Sequence, residues 1–335
     1  NPPRVAVAEA WVPAERRPRY ASPETLGQAF NFDLLSASWS AKKFKKTIEF
    51  NLGLSETSGS SSTWVLSNHD VVRHATRLGL PNDLNIGEWY GKNRLNPGVD
   101  EKLGLARARA LTMLLLALPG STYLYQGEEL GLQEVLDIPA ELMQDPQFFR
   151  NPDLGLSRDG CRVPLPWETT GSSFGFGANG SHLPQPEWYG QNSVQAEEAK
   201  ADSTLNLYRR AIALRSQLQT AESHKWVRHL LNSNVVHFKR PNGWQSITNF
   251  GTKPFKLPKG QILLTTKDVI ASLKRWGAKD AMGQKLMAVT GADEDLVKQA
   301  QAIGLTLPDP DLKYNAETKN WDFGEIDWPE FFEVI

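Results

Sequence analysis

Four residues in this chain are placed to do chemistry together. Glu9 closes the apolar run VAVA, and Asn68, His69 and Asp70 close a second one, TWVLS at residues 63–67. A carboxylate at the end of a buried strand is partly desolvated, which suits it to general-acid work. A second carboxylate beside an imidazole can stabilise developing positive charge and hydrogen-bond a substrate hydroxyl. Each residue also has a plainer reading. Glu9 fits an ion-paired strand end, and Asn68 or Asp70 fits the N-cap of a helix made by VVRHATRL. Arg73, three residues past Asp70, either pairs with a carboxylate of the site or is solvated. Glu128 and Glu129, in QGEELG, read as buried hydrogen-bonding groups more than as a pocket wall.

The positioning elements follow from hydrophobic pattern. RVAVAEAWV (4–12), QAFNFDLL (28–35), TWVLS (63–67) and STYLYQG (121–127) are short apolar runs without strict alternation, which predicts fully buried strands. Between them lie helical patterns. SWSAKKFKKTIEFNLGL spaces Trp39, Phe44, Ile48 and Leu52 roughly by helical turns. Residues 100–118 open with acids in the first turn and stop at Pro119-Gly120. Strands alternating with helices predict a parallel α/β sheet, whose C-terminal strand ends gather catalytic groups. Residues 132–202 are rich in Pro, Gly and Ser, and predict an excursion over a site. STLNLYRRAIALRSQL predicts an amphipathic helix, and KWVRHLL, NVVHFKR, WQSITNF and GQILLTT predict an antiparallel β module. After residue 266 the pattern changes to two helical stretches and an acidic, aromatic end. The expected domains are 1–220, 221–266 and 267–335.

Composition narrows the function class. Of 335 residues, 37 are Lys or Arg and 38 Asp or Glu, so a net charge of −1 gives no electrostatic reason to expect nucleic acid or an anionic membrane surface. The longest apolar stretch, near Leu111–Pro119, is shorter than the roughly 18 residues of a membrane span. The single cysteine, Cys161, excludes an internal disulfide and fits a reducing, cytoplasmic compartment. The chain starts at Asn1 inside a structural element, with no signal peptide ahead of it, and so reads as a piece of something longer. No metal or cofactor is expected: His69 and His74 lack the HExxH pattern, GAKDAMGQK is not a P-loop, and PDPD is a turn.

The segments VAVAEAWV, QAFNFDLL, TWVLSNHDVVR and LPGSTYLYQGEELG, in this order, resemble the α-amylase superfamily of glycoside hydrolases. With SRDGCRVPLPW at 157–167 they resemble its bacterial α-glucosidase branch, over about residues 1–266. Thr122 departs from the proline the family often has. The resemblance implies strands five to eight of a (β/α)8 TIM barrel, followed by part of a β-sandwich. It also implies retaining hydrolysis of α-glucosidic bonds in short oligosaccharides, with no cofactor. It makes Glu9 the general acid/base and Asp70 the carboxylate that orients the sugar. His69, with Asn68 beside it, contacts the same sugar, and Arg162 faces the aglycone side. The family's nucleophile, an aspartate in a GxRxDA-like pattern, is not in the sequence, which predicts a chain inactive by itself. Half a barrel would leave strand edges open for self-association.

Residues 293–335 resemble the C-terminal segment of the catalytic subunit of phenylacetyl-CoA epoxidase, a ferritin-like di-iron oxygenase. The ligands of such a centre are helical Glu and Glu-x-x-His groups, and no histidine follows His237. No di-iron chemistry is carried over. The join is expected between 266 and 292, as in a chimera.

Overall fold

The computed structural model describes residues 6–92, 96–258, 260, 262–266, 313–315, 320–322 and 333–334. The chain divides into two compact units, 1–251 and 252–335.

In the first unit, β1 (Ala6–Ala8) is followed by the short α1 (Pro18–Ala21) and β2 (Gly27–Ala29); α2 (Ala41–Ser58) leads to β3 (Thr63–Val65). Then come α3 (His74–Arg77), α4 (Ile86–Lys92), α5 (Glu101–Ala117) and β4 (Ser121–Tyr123). β1 pairs with β2 in parallel, Ala8 opposite Ala29, and β3 pairs with β4 in parallel, Val65 opposite Tyr123. The two pairs are joined by one side chain. The Thr63 hydroxyl donates to the Ala29 carbonyl at 2.7 Å and accepts the Asn31 N–H at 2.9 Å. The parallel strands and the helices between them are the α/β order expected.

Local chemistry explains where the helices start and stop. Ser40 caps α2 by accepting the Lys43 N–H, and Gly59, at φ 67°, ends it in the left-handed region that favours glycine. Asp100 caps α5 through the Leu103 N–H. The buried residues of α2, Phe44 and Ile48, lie one turn apart and meet Leu111, Leu114 and Leu115 of α5 in the main core. Trp64 of β3 is fully buried there, and its indole N–H donates to the Pro119 carbonyl at 2.6 Å.

The opposite face of the strands is aromatic. Trp11 stacks on Phe32 at 4.2 Å, and Phe30 meets Tyr123 edge-on at 4.7 Å.

The 132–202 excursion is a folded layer with its own apolar cluster of Leu132, Val135, Ile138, Val163, Leu183 and Tyr189. It carries α6 (Pro146–Arg150), α7 (Asp159–Arg162) and α8 (Val194–Glu198), after which α9 (Thr204–Gln217) returns to the body. Its proline and glycine content makes tight turns around a core rather than an open loop. The antiparallel strands β5 (Lys225–Trp226), β6 (Val235–Lys239) and β7 (Gln245–Asn249) follow. Val236, Phe238 and Phe250 belong to the main core with α2 and α5. The β module expected to stand apart from residue 221 thus packs into the first unit, up to residue 251.

In the second unit β8 (Phe255–Lys256) pairs antiparallel with β11 (Glu333–Val334), and β9 (Lys313–Asn315) with β10 (Asn320–Asp322). Two expectations change here. The expected strand GQILLTT has no strand pairing at its described residues, while FGTKP, read as a turn, leads directly into β8. The tail, expected to be mainly helical, is strand at every described residue. The two helices expected after residue 266 lie outside the described residues. Among the described residues no helix is long and apolar enough to cross a membrane.

Candidate active site

The site is built at the C-terminal ends of β1 and β3. Parallel strands carry their following residues to the same side, and here that brings Glu9 and the Asn68–Asp70 turn together. Asn68 shapes the turn: its side-chain oxygen accepts the Asp70 N–H at 2.9 Å, an Asx turn that pushes His69 and Asp70 outward. Ser67 fixes the far end. Its hydroxyl accepts the His74 N–H at 3.0 Å and bonds the His74 Nδ1 at 2.9 Å. The expected capping of the next helix by Asn68 or Asp70 is therefore not what forms. α3 starts after Arg73, which makes no side-chain cap bond.

His69 stands between the two carboxylates. Its Nε2 lies 3.7 Å from Glu9 Oε1 and 3.6 Å from Asp70 Oδ1. Glu9 and His69 are about half exposed, whereas the Asp70 side chain is 24% exposed. One ligating atom from each of the three falls within 4.8 Å of the others, a spacing a divalent cation could bridge. Two guanidiniums oppose that use. Arg158 Nη1 donates to Asp70 Oδ1 at 2.8 Å, and Arg162 Nη2 donates to the same oxygen at 3.0 Å. Arg162 also donates its Nε–H to the His69 carbonyl at 2.8 Å, so it holds the turn as well as the carboxylate.

Arg73 does not join this group. It is 2% exposed and faces inward, where Nη1 donates to the Gln126 carbonyl and Nη2 to the Cys161 carbonyl, at 2.8 and 2.9 Å. Its own N–H donates to Glu134 Oε2 at 2.8 Å, and its guanidinium lies over the Tyr125 ring. A buried guanidinium needs acceptors, and the carbonyls behind the site supply them. Neither a solvated nor a site-facing Arg73 is what folds. Glu128 is likewise buried, with burial pushing its carboxyl up to about 8, and the Tyr208 hydroxyl donates to it at 3.3 Å. Glu129 turns back to accept the Gly127 N–H.

Two features were not foreseen. Arg158 lies one helical turn before Arg162 in SRDGCR, a spacing that puts both heads on one face of α7. Trp11, two residues past Glu9, is 59% exposed and held flat by its stack on Phe32. A cavity of about 450 Å³ opens beside Asp70 and Arg158, walled by Trp39, Leu84, Ile86 and Leu156. Glu9 and His69 stand outside it.

Comparison with known proteins agrees with this geometry. Residues 7–223 match the profile of the α-amylase catalytic domain. The chain is 37% identical over 155 residues to a probable α-glucosidase of Rhizobium meliloti (strain 1021), covering 45% of this chain and 24% of that protein. It is 28% identical over 273 residues to the salivary α-glucosidase of Anopheles gambiae, covering 76% of this chain and 40% of the relative. Among solved structures, the α-glucosyl transfer enzyme XgtA superposes with a TM-score of 0.59 at 28% identity, covering 77% of this chain and 45% of that one. The chain thus spans less than half of each of these proteins. A separate stretch of 92 residues, 28% of the chain, is 35% identical to one of the polypeptides of the 1,2-phenylacetyl-CoA epoxidase of Escherichia coli (strain K12), covering 26% of it.

Proposed function

The chain belongs to the α-amylase catalytic-domain family, and from that premise we propose that it derives from a retaining α-glucosidase and carries the leaving-group side of its site. The observation that carries this is the convergence of Glu9, His69 and Asp70. Glu9, exposed and unburdened by a close salt bridge to arginine, protonates the departing glycosidic oxygen. Asp70 accepts a hydroxyl of the sugar, and His69 donates to the same ring. Asn68 contributes by holding the turn. Arg162 lies toward the aglycone. The ligand class is a short α-linked gluco-oligosaccharide, and Trp11 offers it a flat apolar face.

Retaining hydrolysis also needs a carboxylate that attacks the anomeric carbon from the side opposite the acid, roughly 5 Å away. Among the described residues the cluster holds only Glu9 and Asp70 as carboxylates. The four parallel strands are read as strands five to eight of the (β/α)8 barrel, and as an incomplete barrel this chain binds sugar without cleaving it. A chromogenic α-glucoside assay with an NMR titration of maltose tests this. Expected are perturbed His69 and Asp70 signals without turnover. Turnover abolished by Glu9→Gln overturns the inactivity, and the absence of any maltose effect overturns the sugar site.

One observation favours self-association as a second property. β1 and β4 are each paired on one side among the described residues, and Trp11 and Leu124 are exposed beside them. Such edges accept another chain. Sedimentation that returns a monomer at every concentration would dismiss it. A reducing, cytoplasmic setting suits the buried thiol of Cys161. Nucleic acid and membrane are not proposed as partners. The epoxidase-like tail is assigned no oxygenase chemistry and is read as a segment of different origin joined to the hydrolase portion.

A further inference from the structure

We propose that Asp145, which does not touch the cluster, is a positioning residue for Asp70, acting through Arg158. This rests on the sugar-site reading of the cluster given above.

Asp145 has a fully buried carboxylate, and it is not left unpaired. Arg158 meets it three times. The Arg158 backbone N–H donates to Oδ2 at 2.7 Å, Nε–H to Oδ2 at 2.8 Å, and Nη2 to Oδ1 at 2.7 Å. This two-pronged side-chain contact fixes the plane of the guanidinium as well as its position. Only one terminal nitrogen, Nη1, is then aimed outward, and it meets Asp70 Oδ1 at 2.8 Å. Asp145 is itself held. Its N–H and that of Gln144 donate to Asp159 Oδ2 at 3.0 and 2.7 Å, and the Ser157 hydroxyl donates to the same oxygen at 2.9 Å. Its Oδ1 also accepts the Gln147 N–H, capping α6. A chain of fixed groups thus runs from the start of α6 to the site.

The consequence at Asp70 is asymmetric. Arg158, Arg162 and His69 all address Oδ1. Oδ2 takes part in none of these contacts and is the oxygen offered to a sugar hydroxyl. A free arginine on an exposed loop would swing between the two oxygens and leave the carboxylate rotating. A guanidinium locked from behind holds it in one orientation, which removes an ordering cost from ligand binding. The charges also match: Arg158 and Arg162 face Asp70 and Asp145, so the pair of guanidiniums is neutralised without drawing on the ligand.

The test uses the whole chain and two independent readouts. The first is hydrogen exchange of the Arg158 Nε–H. It is expected to be protected in the wild type and in Asp70→Asn, and to exchange at least about tenfold faster in Asp145→Asn, since the anchor is Asp145. Loss of protection in Asp70→Asn with retention in Asp145→Asn overturns the proposal. The second is maltose affinity by NMR titration, expected to weaken about tenfold in Asp145→Asn, the scale of one charge-assisted hydrogen bond. Unchanged affinity in a folded Asp145→Asn chain overturns it. Should that variant not fold, Arg158→Lys keeps a cation against Asp145 but lacks the fork, and the same loss of affinity is expected with unaltered unfolding temperature. Wild-type protection of Arg158 with no maltose binding at all defeats the sugar site alone, and leaves the anchoring judged by exchange.

Discussion

The His74 imidazole stands 4.0 Å from the Glu128 carboxyl, and both are sealed from solvent behind the site. Burial dominates their protonation. It holds His74 down at about 3, helped by Arg77 and Arg73, and pushes Glu128 up to about 8 and Glu134 to about 7. In the folded chain His74 is neutral and the two carboxyls keep their protons into the neutral range. Unfolding releases all three to ordinary values. The carboxyls therefore stabilise fully below about 4.5 and lose that contribution as pH rises to about 8, while His74 contributes above 6.5 and loses it as pH falls toward 3. Between 6.5 and 8 only the carboxyls titrate, so stability falls with rising pH there, by on the order of a few kcal/mol. Urea unfolding across this window measures the slope, and Glu128→Gln should flatten it.

Gly104 sits mid-helix in α5, where alanine would ordinarily gain about 1 kcal/mol. Here the sign reverses. A Cβ at 104 would collide with the Ala75 carbonyl oxygen and lie 3.0 Å from the Gly79 nitrogen, both backbone atoms. Gly104→Ala must push α3 away from α5, and a loss of about 2–3 kcal/mol is expected in equilibrium unfolding. Since α3 follows the His69–Asp70 turn, the same variant should disturb the NMR signals of the site.

Thr63 links β2 to β3 with one hydroxyl, and valine has nearly its shape. Thr63→Val would strand the Ala29 carbonyl and the Asn31 N–H in a buried place. About 2–4 kcal/mol should be lost, more than the hydroxyl's own bond, because two buried polar groups go unpaired. Thr63→Ser should recover most of it. Equal stabilities of the valine and serine variants would show that the joint carries no weight.

Trp11→Ala separates stability from binding. The indole is mostly exposed, so unfolding should shift by less than about 1 kcal/mol. Maltose affinity should drop roughly three- to tenfold through loss of the flat face. Titration of the wild type and the variant under identical conditions checks this, and Trp11→Phe should keep part of the affinity.

The site was legible where strand ends announce themselves. Glu9 and Asn68–Asp70 each interrupt an apolar run, and parallel neighbours turn that interruption into proximity. α5 was legible to within a residue at each end because its cap and its stop are chemical signals in the sequence. Arg73 was not, because sequence distance from Asp70 says nothing of direction once the chain bends into α3. Arg158 was out of reach for a different reason: it lies 88 residues from Asp70 along the chain, and its path there depends on how the excursion folds. The aromatic and acidic tail was read from pattern alone, and its described strands hold their register by pairing that no local signal announces.

The excursion's separate apolar cluster has a wider meaning. Leu132, Val135, Val163 and Tyr189 pack among themselves, and the layer reaches the acidic turn through two arginine heads. Its surface can therefore diversify by substitution and insertion while the proton-donating glutamate stays untouched, so that relatives built on this plan can change which partner half of a disaccharide they admit without reinventing the bond-breaking chemistry.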